Sequence, residues 1–316
     1  MTNYRFSLEK YNGSKTRFHC PNCGKKEFVR YVDLENGKYL ADSVGRCNRI
    51  EQCGYHFKPK QYFDNKGEQI QYFTPKVIRQ NPKETSFINE NQLLESLHFK
   101  HRSSNLYPFF AKYFEEEKVK ATFRKYLIGV SNKWEDATIF WQVDQQMKVR
   151  SGKIMQYDSV TGRRDKKKFF WIKNQSENTE MRQVFFGLHL LHYFKNHKIG
   201  IVESEKTAML CDLFFDEKII WLASGGMEGI NETKLKDLEG REVILFPDLS
   251  TNNSKNSAYK SWKTKAETLG KRLIMNIKIN NYLELFSCSS DKENQLDLGD
   301  FIIKEISKNV RNHKVC

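Results

Sequence analysis

Four cysteines constrain the first part of this 316-residue chain more tightly than any other feature. Cys20, Cys23, Cys47 and Cys53 follow the pattern C-x2-C-x23-C-x5-C. Two thiolates two residues apart in "CPNCG" form a knuckle that grips one cation, and Gly24 lets the chain turn so that backbone N–H groups face sulfur. Four thiolates around a tetrahedral ion are what structural Zn2+ prefers. Between the pairs, "EFVRYVDLENGKYLADSVGRC" alternates apolar and polar residues around Asn36-Gly37, a hairpin signal. Residues 1–63 therefore read as a zinc ribbon, a hairpin with one knuckle at each end. The second knuckle, "CNRIEQCGYH", is less regular, and either His56 or His19 is placed to replace a thiolate. So small and basic a segment has little core of its own and needs the metal to fold. Arg30, Arg46, Arg49, Lys58 and Lys60, with Tyr31, Tyr39 and Tyr55, are its candidates for phosphate contact and base stacking.

The formal net charge of +14 is unevenly spread. Residues 1–200 hold 36 Lys/Arg against 21 Asp/Glu, whereas residues 201–316 hold 17 against 18. That asymmetry suits a chain whose front grips a polyanion while its back carries acidic chemistry. No run approaches the roughly 18 apolar residues needed to cross a bilayer, and the N-terminus has no apolar stretch after a charged start. The expectation is a cytoplasmic protein with no membrane partner, its seven cysteines reduced, metal-bound or buried. Cys211, Cys288 and Cys316 show no ligand spacing.

Residues 64–88 carry Pro75 and Pro82 among polar residues with little periodicity and read as a linker. Residues 89–196 read as a basic α+β lobe. Apolar residues recur at helical steps through "ENQLLESLHF" and "LYPFFAKYFEEEKVKATFRKYL", and "ATIFWQVDQQMKVRSGKIMQYD" reads as two strands. Arg150, Lys153, Arg163, Arg164, Lys166, Lys167 and Lys168 are its candidate nucleic-acid contacts, charges that would track a single strand's backbone. The neighbouring Phe169, Phe170 and Trp171 read as buried core.

Residues 197–316 alternate plainly. "KIGIV", "IIWLA", "EVILF" and "RLIMNIKI" are strand-like, separated by helical stretches, one of them ended by Gly270. Such alternation argues a parallel sheet with helices on both faces, so the whole is an α/β chain. In such sheets the functional crevice lies beyond the carboxyl ends of the strands. Glu203 follows the first strand, Gly225-Gly226 the second and Asp248 the third, and Asp297 and Asp300 come just after the fourth. Carboxylates gathered at one edge repel one another unless a divalent cation joins them. Mg2+ or Mn2+, held by a few carboxylates and substrate phosphates, is the natural occupant. Lys206 would meet a phosphate or pair with a neighbouring acid.

On these residues the chain resembles a known family. "IVESEKTAML", "ILFPDLS" and "LDLGDFI" look like the Toprim domain of bacterial-type primases, topoisomerases and some nucleases. "VESEKTA" is close to the form in primases of phages, plasmids and other mobile elements, and the cysteine segment resembles a primase zinc-binding domain. The resemblance implies an N-terminal zinc ribbon, a basic lobe and a C-terminal Toprim domain in a DNA-binding, primase-like nucleotidyltransferase. Glu203 would be the invariant acid, Asp248 the first Asp of D-x-D, and Asp297 and Asp300 the later acidic motif. It implies Mg2+ or Mn2+, nucleoside triphosphates, single-stranded DNA and a separate helicase or transfer protein as partners, since no G-x-x-x-x-G-K-[ST] motif is present. Where the family has its second aspartate this chain has Ser250, which removes one metal ligand. A Toprim nuclease, or a zinc-ribbon recruitment protein with little turnover, are the alternatives.

Overall fold

The computed structural model describes residues 5–50, 52–67, 84–97, 104–173, 179–215, 218–251 and 257–312. It divides into two units, Met1–Pro82 and Lys83–Cys316. Most of the segment read as a linker falls outside the described residues.

In the first unit β1 (Phe6–Leu8), β2 (Phe28–Asp33), β3 (Gly45–Cys47) and β4 (His56–Phe57) form an antiparallel sheet in that order. Helix α1 (Pro59–Lys66) follows, with Pro at its start and Gly67 in the left-handed conformation at its end, where each residue suits its position. The turn at Asn36-Gly37 is wider than a two-residue hairpin. Asp33 N donates to Lys38 O at 2.9 Å, and Gly37 N donates to Asp33 O at 2.8 Å. After a single bridge from Val32 to Tyr39, β3 begins only at Gly45.

The two knuckles bring the sulfurs of Cys20, Cys23, Cys47 and Cys53 within 4.8 Å of one another. Cys20 and Cys53 Sγ are 3.7 Å apart, and Cys23 and Cys47 Sγ are 3.9 Å apart. A tetrahedron with Zn–S bonds of about 2.3 Å has edges of about 3.8 Å, so the donor set fits structural Zn2+. Both histidines are engaged elsewhere: His19 Nδ1 lies 2.9 Å from Gly24 O, and His56 Nε2 lies 2.9 Å from Tyr31 OH. Cys20 and Cys47 are themselves part of the buried centre of this unit, packed with Phe28, and only a few other apolar residues, Val29 and Val44 among them, are buried with them. The metal thus replaces a hydrophobic core.

In the second unit two sheets share one core. The antiparallel sheet runs in the order β6 (Gly129–Ser131), β7 (Ala137–Val143), β8 (Val149–Tyr157), β9 (Arg164–Ile172). Short strands β5 (Glu84–Thr85) and β10 (Thr179–Glu180) pair separately. All seven residues of β7 are buried because both faces are covered. Ile139, Trp141 and Val143 join a small core with Leu93 of α2 (Glu90–Ser96), while Phe140 enters the large one. Helices α3 (Tyr107–Ala111) and α4 (Glu116–Lys125) add Phe109, Phe110, Val119 and Phe123 to that large core.

The parallel sheet is ordered β12 (Ile219–Ala223), β11 (Lys198–Val202), β13 (Val243–Leu245), β14 (Ile277–Ile279). From β11 the chain passes through α5 (Glu205–Phe214) to β12 on one side. From β12 it passes through α6 (Glu232–Leu235) to β13, and from β13 through α7 (Ala258–Leu273) to β14 on the other side. Right-handed crossovers then set α5 on one face and α6 and α7 on the other. The strand order reverses between β11 and β13, the point where such sheets open a crevice. Helices α8 (Tyr282–Phe286), α9 (Ser289–Glu293) and α10 (Leu298–Asn312) complete the unit, with Leu298 and Ile302 of α10 in the core.

The α7 boundary differs from the expectation. The helix passes through Gly270 and ends at Leu273, followed by Ile274 at φ 55°. Gly270 sits where the chain folds back closely: a Cβ there would lie 3.2 Å from Met275 O. The following strand is correspondingly short.

Since the metal stands in for a core, Cys47→Ser should abolish the binding of about one Zn2+ per chain and unfold the first unit. Metal analysis with limited proteolysis checks this; a zinc-free variant with unchanged protection of residues 5–67 would contradict it.

Candidate active site

Glu203 is the first residue beyond β11, and Asp248 lies three residues beyond β13, so the switch point delivers both to one rim. Asp248 N donates to Glu203 Oε1 at 3.4 Å. Ser204 caps α5, its hydroxyl accepting Thr207 N at 3.2 Å. Thr207 Oγ1 in turn donates to Asp297 Oδ2 at 2.6 Å, fastening the start of α10 to α5. Asp297 and Asp300 cap that start reciprocally, through Asp300 N to Asp297 Oδ1 at 2.8 Å and Asp297 N to Asp300 Oδ2 at 3.1 Å. Gly299 between them allows a close approach of α10 to α5, since a Cβ there would meet Leu210 Cδ1 at 2.8 Å.

Glu203, Asp248 and Asp297 line a cavity of about 320 Å3 together with Lys153, Arg164 and Lys206. Asp300 stands outside that lining, but its charge is felt within. Burial, then Asp297, Glu203 and Asp300, push the Asp248 carboxyl well above its ordinary range. Burial raises Glu203 and Asp300 as well, each further raised by Asp297. Among the described residues only the cysteine quartet brings three or more ligand atoms within 4.8 Å of one another, so the acids are gathered but not closed. As placed, no three of them reach one cation together, so a bound Mg2+ would be held by at most two carboxylates and would complete its shell with water. Ser250 is engaged away from the acids, its hydroxyl accepting Ala258 N at 2.8 Å at the start of α7.

The basic residues divide. Arg150 is buried and pairs with Asp144 at 2.6 Å, which takes it out of any exposed nucleic-acid face. Lys153 is buried too, its Nζ 2.8 Å from Glu205 Oε1, with side chains only 6% and 3% exposed. A lone ammonium at that depth would be costly, and the nearby carboxylate compensates it. Lys206 Nζ donates to Gly162 O at 3.3 Å rather than pairing with an acid, although its charge lowers Asp248 and Asp300. Arg163, Arg164, Lys166 and Lys167 are exposed and Lys168 half-buried; of the five only Arg164 lines the acidic cavity. Phe169 and Phe170 are not core. They stand on edge strand β9, 40% and 43% exposed, and Phe169 faces the same side of the sheet as Lys153 and Met155. The Lys153–Glu205 pair is the feature that sequence reasoning missed; a lysine set beside the apolar Ile154-Met155 in a strand was its only signal. One wall of the cavity thus offers carboxylates for a divalent cation, and the other offers cations for phosphate.

A family described as a domain of unknown function, DUF6371, matches residues 104–249, and a zinc beta-ribbon finger family matches residues 4–68. No curated protein matches. Among solved structures, the primase fragment of the bacteriophage T7 primase-helicase overlaps 89% of this chain and 98% of its own, at 12% identity and a TM-score of 0.37. The zinc-binding and RNA polymerase domains of the Aquifex aeolicus primase overlap 97% and 85%, at 13% identity and 0.38. The RNA polymerase domain of the Mycobacterium tuberculosis primase DnaG overlaps 69% and 87%, at 11% identity and 0.38. Superpositions this loose do not establish a common fold.

Two outcomes follow from the charges. With Glu203, Asp248 and Asp300 raised, the folded chain keeps protons that the unfolded chain has released. Stability is therefore lost as pH rises from about 4 through the raised values. Asp248→Asn should melt higher than the parent at pH 8 without divalent cation, and Mg2+ or Mn2+ should raise the melting temperature of the parent but not of the variant. Lys153→Met, which strands Glu205, should destabilise by about 3–5 kcal/mol, and adding Glu205→Gln should restore most of it in denaturant melts.

Proposed function

We propose that the chain is a metal-dependent, primase-like nucleotidyltransferase that builds short oligonucleotides on single-stranded DNA in a mobile-element setting. The observation that carries this reading is the meeting of Glu203, Asp248 and Asp297 with Lys153, Arg164 and Lys206 around one cavity at the strand switch point. The Toprim-like motifs at those same acids, and the zinc ribbon ahead of them, support it.

Two of Glu203, Asp248 and Asp297, with Asp300 behind them, would hold Mg2+ or Mn2+, which supplies charge stabilisation for the attacking and leaving oxygens of an in-line displacement. The raised carboxyls release their protons when that charge arrives. Lys206 and Arg164 neutralise phosphate oxygens opposite the acids. The aromatic and basic edge of β9 tracks the template, with Phe169 offering a face to a base.

Purified protein with Mg2+ or Mn2+, nucleoside triphosphates and single-stranded DNA should yield new oligonucleotides. Glu203→Gln should lower that yield on the order of a hundredfold or more, as loss of a transition-state contact does. Unchanged synthesis in the variant would remove Glu203 from the mechanism, and shortening of labelled DNA without nucleotides would make the chain a nuclease instead. Ser250 favours a second reading. Serine carries no carboxylate and its hydroxyl is engaged with the first residue of α7, so the D-x-D position offers no second metal ligand, and the site then binds DNA with little turnover.

A further inference from the structure

A second cavity, of about 710 Å3, lies among Thr85, Arg182, Gln183, Asn231, Thr233 and Lys234, apart from the acidic one. Its size falls within the range of about 300–1,000 Å3 common to small-molecule sites. The proposed transferase reaction makes no use of it. Lys234 is only 5% exposed, yet its ammonium donates to a backbone carbonyl, Ser224 O, at 3.0 Å. Among the described residues no carboxylate lies within ion-pairing distance of it. Glu205 attracts it from further off, but that carboxylate is already held by Lys153 at 2.8 Å. Two buried ammoniums thus share one carboxylate, and one positive charge is left over. Burial and the repulsion from Lys153 push Lys234 down to about 8, so the charge persists at neutral pH. At the rim Arg182 is paired with Asp237 and contributes no net charge.

We propose that Lys234 anchors an anion site that takes the phosphoryl group of a small phosphate-bearing molecule. A buried excess cation calls for an anion, and lysine meets phosphate as a point charge. Thr233, Asn231 and Gln183 line the same cavity with neutral polar side chains, Asn231 Oδ1 being taken by Lys234 N, and the cavity has room for more than the phosphate itself. The carbonyl that Lys234 holds belongs to Ser224, and the next two residues, Gly225 and Gly226, line the acidic cavity. One short loop therefore separates the two sites.

The test is titration calorimetry of the full chain, without added divalent cation, using inorganic phosphate and then a nucleoside monophosphate at pH 7. Saturable binding is expected. Lys234→Met should weaken it roughly tenfold or more. Thr233→Glu, on an exposed residue where folding is not at stake, should do the same by repulsion. Asp248→Asn should leave it intact, and because no synthesis is measured the outcome is independent of the transferase reading. Absence of saturable binding, or binding unchanged in both Lys234→Met and Thr233→Glu, overturns the proposal. So does binding lost instead in Arg164→Gln, which would put the anion in the acidic cavity.

Discussion

Carboxylates that repel one another are held together here by the direction of two neighbouring strands. Because β11 and β13 run parallel, with Ile201 opposite Leu245, their ends reach the same rim and carry Glu203 and Asp248 with them. The side-chain bond from Thr207 to Asp297 brings in the third acid from a helix far along the chain. The result is an electrostatic cost built into the folded state, visible in the raised Asp248 carboxyl. It persists because the core beneath is large and continuous, running from Leu106 to Ile302 with Trp221 and Trp262 fully buried. Strain of this kind gathers where surrounding structure over-determines the geometry.

The opposite wall of the cavity is fixed to the acids just as firmly. Lys153, from the antiparallel sheet, reaches Glu205, the first residue of α5 and two places after Glu203. Tyr126 repeats the connection deeper in, donating its hydroxyl to Trp221 O at 2.9 Å and stacking on Phe186 with ring centres 5.2 Å apart. The basic and acidic walls cannot part without exposing both an ion pair and aromatic core. The acidic and basic groups that line the cavity are therefore pre-positioned with respect to each other.

Much of this was legible because it rests on spacing. Cysteine intervals disclose a tetrahedral site, and strand–helix alternation discloses that Glu203 and Asp248 share an edge. Asp297 and Asp300, expected just after the fourth strand, instead follow two further helices. Pairings between distant residues left no such trace. Lys153 read as a free charge because the carboxylate that it meets lies 52 residues away, whereas Arg150 meets Asp144 across the turn between β7 and β8, a local pairing that was overlooked. Gly270 read as a helix end because glycine favours that place. Its actual use is a close approach to Met275, while the left-handed position falls to Ile274, a residue poorly suited to it. Phe169 and Phe170 read as core because hydrophobicity alone does not tell an edge strand from a central one. Ser250 read as a missing ligand, and only the folded structure shows that its hydroxyl also accepts the first amide of α7.

That edge strand has a bearing on how the chain keeps to itself. Among the described residues β9 has no neighbouring strand on one side, and two large aromatic rings lie along it. An open, apolar border of this kind invites pairing with another molecule and growth into insoluble assemblies. Between Arg164, opposite Tyr157, and Phe169, opposite Met155, the strand swells outward, and the excursion carries Lys166, Lys167 and Lys168. The three lysines, offset in part by Asp165, leave a net positive charge on an irregular border, which opposes the flush docking of a second such border whether or not a nucleic acid ever lies across it.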